Sequence, residues 1–173
     1  MGRTVLIVDD HPSFRTSARR VLEDAGFEVV GEAPDGVTAL AAARELRPAV
    51  LSDRGLPAAV KALAGRVPVP VELVETPPGR LPARVEIASY YVVAEALANV
   101  ARYAHASRAQ VRVRQLNGSV SVEMSDDGVG GADPGHGSGL RGLADRVAAL
   151  DGRFEVDSPP GHGTTIRAQL PCA

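Results

Sequence analysis

Three observations predict an α/β protein built in two parts. Residues 4–48 alternate short apolar runs with helix-period segments, an order that gives parallel strands joined by crossover helices. Residues 81–106 carry the longest helical pattern of the chain. Two hairpins follow it, each strand keeping its apolar residues on a single parity. At 173 residues there is room for one ordinary domain or two small ones, with a core that needs no staples.

Composition excludes several classes. A net charge of -2 leaves no electrostatic footprint for nucleic acid or an anionic membrane surface. The single cysteine, Cys172, permits no intrachain disulfide and no cysteine zinc site. No charged-then-apolar leader opens the sequence and no apolar run approaches a bilayer span, so a soluble, cytoplasmic protein is expected.

"TVLIVDD", residues 4–10, reads as a buried parallel strand ending in two acids. "HPSFRTSARRVLEDAG" places Phe14, Ala18, Val21 and Leu22 at helical spacing and stops at Gly26. "FEVVGEA" is a second strand, and "DGVTALAAARELRP" a second helix ended by Pro48. Asp9 and Asp10 then lie at the carboxyl end of the first strand, where open α/β sheets bind ligands.

This stretch resembles the front half of a response-regulator receiver domain, an incomplete doubly wound segment. The resemblance implies a magnesium-binding acid pair at Asp9 and Asp10 and a phosphoacceptor on the third strand. Asp53 is the candidate acceptor, but the receiver pattern carries one more residue between its "RP" and that aspartate than stands here between Pro48 and Asp53. A cap or loop acid is the competing reading of Asp53, and an unused vestige that of the pair. Two strands and two helices do not close a layered core, so "AVLSD" is expected to supply a short third strand against the following domain, or the segment to be marginally ordered.

In the long helix, Tyr90, Val93, Leu97, Val100 and Ala104 share one narrow face, and Glu95, Asn99 and Arg102 cluster opposite at i, i+4 and i+7. That polar cluster is either a solvated face or a site; a mid-helix Asn, a weak helix former, invites the second explanation. Asn117-Gly118 is a strong two-residue hairpin signal. It pairs Leu116 with Ser119, Val113 with Val122 and Val111 with Met124. Asp126 shares the parity of Val122 and Met124, so its carboxylate turns inward at the strand end. A buried charge requires a donor. In the last hairpin Thr164 shares the inward parity of Ile166, Ala168 and Leu170, and its hydroxyl is a candidate partner for Asp126, directly or through water. Between the hairpins, Gly135, Gly137 and Gly139 lead into an amphipathic helix carrying Leu140, Leu143, Ala144, Val147 and Leu150, with Gly152 as the expected C-cap.

"EALANVARYA", "DDGVG", "GSGLRGLADRVAAL" and "GHGTTIRAQLP" stand in the order of the N box, two glycine boxes and terminal Gly-Thr element of sensor histidine kinases. Residues 47–173 therefore resemble the ATP-binding catalytic domain of those kinases, within the superfamily of gyrase, heat-shock chaperones and mismatch-repair ATPases. The subfamily suggested pairs with helix-turn-helix response regulators, and "LRPAVLSDRGLPAAVKAL" resembles its lead-in. The resemblance implies a two-layer α/β sandwich of the Bergerat type, with a receiver-like segment over 1–46 and the ATP-binding domain over 47–173.

It further implies ATP and Mg2+ as ligands. Asp126 would accept the adenine amine, with Gly128 and Gly130 letting backbone approach the base. Asn99 would offer its amide oxygen to magnesium, and Glu95, the catalytic residue, would orient water or the metal shell. Arg102 would face phosphates, and Tyr103 fills a slot held in relatives by histidine or an aromatic. Residues 131–139 would form a lid, with Gly137, Gly139 and the amide of Leu140 holding phosphates; Thr164 completes the base pocket. His136 and His162 lie in loops and neither is assigned as phosphoacceptor. Since the receiver-like half occupies the place of the histidine-bearing dimerisation domain, the implied activity is phosphoryl transfer to a histidine supplied in trans. A nucleotide-dependent interaction module without chemistry is the alternative, and a serine kinase of the anti-sigma type a third. The implied partners are a response regulator, a histidine-bearing dimerisation domain, or both.

Overall fold

The computed structural model describes residues 3–35, 38, 49–133, 135 and 138–172. Contacts divide the chain into two compact units, Met1–Arg47 and Pro48–Ala173.

In the first unit, β1 (Arg3–Val8) pairs in parallel with β2 (Phe27–Ala33), with Val5 opposite Val29 and Val8 opposite Ala33. Helix α1 (Pro12–Asp24) connects them. Pro12 supplies the fixed φ of a first helical position, and Gly26, at φ 81°, takes the left-handed turn that stops the helix. Phe14 and Val21 of the expected apolar face are 57% and 67% exposed, and no described residue of α1 is buried. The second helix expected over 35–48 falls almost wholly outside the described residues.

The second unit is a five-stranded sheet of order β3-β4-β5-β7-β6 with helices packed against it. Its strands are β3 (Val71–Glu75), β4 (Ala109–Leu116), β5 (Ser119–Asp126), β6 (Arg153–Asp157) and β7 (Thr164–Pro171). Only the β3–β4 pair is parallel. The β4–β5 register is the one the turn dictates: Val113 faces Val122 and Val111 faces Met124. Asn117 and Gly118 both have positive φ, as a primed hairpin turn demands. Val111, Val113, Val120, Val122, Met124, Ile166, Ala168 and Leu170 are buried and form the sheet's share of the core. Each large side chain among them contributes roughly 1.5–3 kcal/mol by leaving water.

Residues 49–53, expected as a third strand, are helical instead. Helix α2 (Ala49–Ala64) is two helical segments joined at Gly55, whose φ of 75° only glycine adopts without strain. Pro57 follows just inside the second segment, where a missing N–H costs nothing. Leu51, Leu56, Ala59 and Val60 are buried in the second unit's core, so a five-residue apolar run that pattern alone leaves ambiguous is settled as helix by packing. Asp53 is exposed on this helix and not at a strand end, which removes the geometry of a receiver phosphoacceptor.

Arg80 joins α2 to the next helix. Its guanidinium donates to the Ser52 carbonyl at 3.1 Å, three residues before the Gly55 break. The same guanidinium grips Glu86 in the first turn of α3 (Ala83–Asn99) through two bonds of 2.9 Å. Glu86, fully buried, also accepts the Leu81 N–H at 3.2 Å. Pro82 at the cap has no N–H to offer, so the carboxylate reaches back one residue further.

The long helix does not continue to residue 106. After Asn99 it widens into a π turn, Val100–Ala104, which ends at His105 with φ 48°. Val93, Leu97 and Val100 are buried, with Tyr90 and Ala104 half-buried beside them. Helix α4 (Ser138–Ala148) buries Leu140, Leu143 and Val147, and Arg146 stacks 4.5 Å from the centre of the Tyr91 ring on α3. The left-handed residue after α4 is Asp151, at φ 55°, and not the expected Gly152. Gly152 is there for space: a Cβ would lie 2.8 Å from Val147 Cγ1.

Candidate functional site

The site grows from the end of β5. Met124 is buried and Asp126, on the same parity, is half-buried opposite Ala109 on one side and Thr164 on the other. Asp126 Oδ1 accepts the Gly128 N–H at 2.9 Å, and the Thr164 amide donates to the same carboxylate. Burial nevertheless pushes its pKa up, outweighing the two amides that pull it down. A carboxylate accepts about four hydrogen bonds, so lone pairs remain for another donor. The Thr164 hydroxyl, expected against Asp126, instead meets Ser158 Oγ at 2.8 Å.

Asp127, one residue on, has the opposite parity and a different task. It accepts the Ser107 hydroxyl at 2.6 Å, the Ser107 N–H at 2.8 Å and the Arg108 N–H at 3.0 Å. The Ser107 hydroxyl first, and the Arg108 amide after it, hold its pKa below the usual carboxylate range. It thereby pins the loop that leaves the π turn.

Protein contacts explain two of the glycines. A Cβ on Gly128 would overlap the Ala104 carbonyl, the last of the π turn, which also accepts the Val129 N–H at 2.8 Å. A Cβ on Gly130, at φ 65°, would overlap the Pro159 carbonyl. The segment after Asp126 is thus sewn between the π turn and the β6–β7 turn. Gly161 N–H donates to Val129 O at 2.7 Å, Gly131 N–H to Ser158 O at 2.9 Å, and Ala132 N–H to Ser158 Oγ at 2.9 Å.

A second cluster joins α3 to α4. Glu95 is half-buried, and its carboxylate lies so close to Gly139 that a Cβ there would overlap Oε1. Leu140 is buried in the core directly behind that turn. Asn99 is half-buried one turn beyond Glu95, whereas Arg102 is exposed and Tyr103 is 65% exposed on the π turn. Gly137 and His136 lie outside the described residues; Gly135 is exposed. Sequence reasoning missed Ser158, Asp127 and the Arg80–Glu86 pair. Adjacent acids in "DDG" on opposite parities signal two separate tasks, but nothing local marks Ser158 or Glu86.

In the first unit, Asp9, Asp10 and His11 bring ligand atoms within 4.8 Å of one another, the one such group among the described residues. His11 Nδ1 lies 2.6 Å from Asp10 Oδ1 and 3.5 Å from Asp9 Oδ1. Asp9 and His11 border an open depression also lined by Ser13, Phe14 and Ser17. Among the described residues no helix is long and apolar enough to cross a membrane.

Comparison with known proteins gives two family matches. Residues 84–173 match the family described as histidine kinase-, DNA gyrase B- and HSP90-like ATPase. Residues 5–60 match the response regulator receiver domain. The receiver match passes the boundary between the units, although Leu51, Leu56, Ala59 and Val60 pack in the second. A sensor histidine kinase of Rhizobium johnstonii, MctS, is 33% identical over 86% of this chain and 34% of its own length. The oxygen sensor histidine kinase NreB of Staphylococcus carnosus is 32% identical over 73% of this chain and 39% of its own length. The chain thus spans little more than a third of these relatives. Among solved structures, full-length ShkA in complex with AMPPNP superposes with a TM-score of 0.56 at 18% identity, covering 68% of this chain and 29% of that one, which supports the fold.

Proposed function

Because this chain belongs to the histidine kinase-, DNA gyrase B- and HSP90-like ATPase family, with sensor histidine kinases as its homologues and a receiver-like segment in front, we propose that residues 47–173 are the ATP-binding catalytic module of a two-component kinase. On this reading it phosphorylates a histidine on a partner that carries a dimerisation domain, and residues 1–46 form a separate receiver-like unit. The observation that carries the proposal is Asp126: a half-buried carboxylate, tied by two amides yet with lone pairs to spare, at the edge of a family-matched fold. That donor deficit fits the exocyclic amine of adenine.

ATP supplies the phosphoryl group, and magnesium, a hard cation, takes oxygen donors such as the Asn99 amide and offsets phosphate charge. The chain's own contribution is positioning. Asp126 selects the base and Thr164 borders it. Gly128 and Gly130, by fitting against Ala104 and Pro159, hold the Asp126 segment in place. Glu95 sits against the first turn of α4, where Gly139 and Leu140 present amides with no intrahelical partner. From there it orients water or the metal shell and keeps a proton acceptor beside the phosphates. Arg102, exposed on the π turn, is free to swing toward phosphate oxygens, with Tyr103 beside it.

The test is incubation of the full chain with radiolabelled ATP and magnesium, with and without a histidine-bearing dimerisation domain. Label on the added histidine is expected. Tight binding without transfer would replace the kinase with a nucleotide-dependent interaction module, and no binding would end both. In Asn99→Ala, magnesium is expected no longer to strengthen ATP binding; an unchanged magnesium requirement would remove Asn99 from the metal's ligands.

A further inference from the structure

We infer that Asp127 is a positioning residue for phosphate binding, acting through Arg102 by holding the exit of the π turn against the Asp126 segment. The inference rests on the nucleotide reading above and starts from backbone that needs outside support. The π turn Val100–Ala104 ends at His105, whose φ of 48° and ψ of 34° put a residue with a Cβ in the left-handed region. Such a conformation persists only where its surroundings impose it. Before His105, the Ala104 carbonyl accepts the Val129 N–H at 2.8 Å. After it, the Asp127 carboxylate supplies the hold. Its Oδ1 accepts the Ser107 N–H at 2.8 Å and the Arg108 N–H at 3.0 Å. Its Oδ2 accepts the Ser107 hydroxyl at 2.6 Å and lies 3.5 Å from Arg108 Nε. The backbone bond on that side, from the Asp127 N–H to the Arg108 carbonyl, is long at 3.4 Å.

The two ends of a nucleotide would feel the loss of this carboxylate unequally. Asp126 keeps supports of its own, through the pairing of β5 with β7 and the Gly128 N–H on Oδ1. Residues 105–108 belong to no helix or strand, so the π-turn exit depends on Asp127. Freed there, Arg102 must be ordered at the moment it meets a phosphate, and that ordering subtracts from affinity. The hold needs hydrogen-bond geometry and not charge. An asparagine oxygen can accept both N–H groups that Oδ1 takes, and its NH2 can donate to Ser107 Oγ, because a hydroxyl accepts as well as donates.

Binding of ADP with magnesium to the full chain, measured by calorimetry for wild type, Arg102→Ala, Asp127→Ala, the double variant and Asp127→Asn, tests the inference. Arg102→Ala should weaken ADP by about tenfold, the worth of one charge-assisted hydrogen bond. Asp127→Ala should weaken it by about fivefold, yet by less than about twofold once Arg102 is gone, since the contact it supports is then absent. Asp127→Asn should stay within about twofold of wild type. A merely structural role would cost the same in both backgrounds, so additive losses overturn the inference. An unchanged affinity in Asp127→Ala, a loss in Asp127→Asn as large as in the alanine variant, or no effect of Arg102→Ala would overturn it equally, and each leaves the nucleotide reading standing. Absence of any ADP binding by wild type would overturn the nucleotide reading itself, and the positioning inference with it.

Discussion

Replacing Arg80 by alanine should be among the most destabilising single changes in the second unit. Glu86 is fully buried, and its oxygens are met at 2.9 Å each by Arg80 Nε and Nη2. Among the described residues, the Leu81 N–H at 3.2 Å is the remaining donor to the carboxylate. Removing one partner of a buried ion pair costs about 3–5 kcal/mol, because the other charge is left desolvated. Arg80 is itself 53% exposed, so water enters part of the vacated space and the low end applies, about 3 kcal/mol. For a unit of this size that lowers Tm by about 12 °C, at about 4 °C per kcal/mol. Thermal unfolding followed by circular dichroism reads the shift. Adding Glu86→Gln removes the stranded charge while its amide oxygen still accepts from Leu81, and should recover most of the loss. A fall in Tm under about 3 °C for Arg80→Ala, or no recovery in the double variant, would refute the assignment of this pair as the staple between α2 and α3.

Asp126 and the glycines give two further expectations. The Asp126 pKa is raised in the fold, so its stabilising contribution is complete below the ordinary carboxylate range and is lost as pH rises through the folded value. The stability of Asp126→Asn minus that of wild type should therefore grow from acid to neutral pH in urea titrations, while adenine nucleotide binding disappears; a difference that is flat or of opposite slope contradicts the burial argument. Gly128→Ala and Gly139→Ala should diverge. The first drives a methyl into the Ala104 backbone carbonyl and should cost about 2 kcal/mol or more. The second meets only the movable end of Glu95, should leave Tm within a few degrees, and should alter magnesium-dependent ATP binding instead. Equal Tm losses would show that the Glu95 contact is as rigid as backbone.

Much of the Asp126 side of the candidate site was legible because it depends on local geometry. A two-residue turn fixes register, register fixes parity, and parity turns Asp126 inward and Asp127 outward. The helix side was legible only as far as Asn99. The π turn is held by what comes later: the Ala104 carbonyl meets the Val129 N–H, and Gly128 must be bare to let it approach. No spacing within residues 100–104 encodes a bond to residue 129. The same holds for Ser158, whose partners Ala132 and Thr164 lie on either side of it in the chain and meet only when the β6–β7 turn folds over.

The strand expected over residues 49–53 was misread because a strand and a helical turn look alike over five apolar-rich residues, and the receiver resemblance favoured the strand. Packing decides it the other way, since Leu51 and Leu56 are fully buried in the second unit. The consequence falls on the first unit. Among its described hydrophobic residues only Ile7 and Ala33 are buried, while Phe14 and Val21 stand open to solvent. Ordering backbone costs about 1–2 kcal/mol per residue, which those two side chains alone do not offset. A metal held by Asp9, Asp10 and His11 would thus be gripped by a support with little core behind it, and side chains that must be ordered by the ion bind it weakly. Among the described residues, the receiver-like segment thus keeps the acid pair with only Ile7 and Ala33 buried behind it.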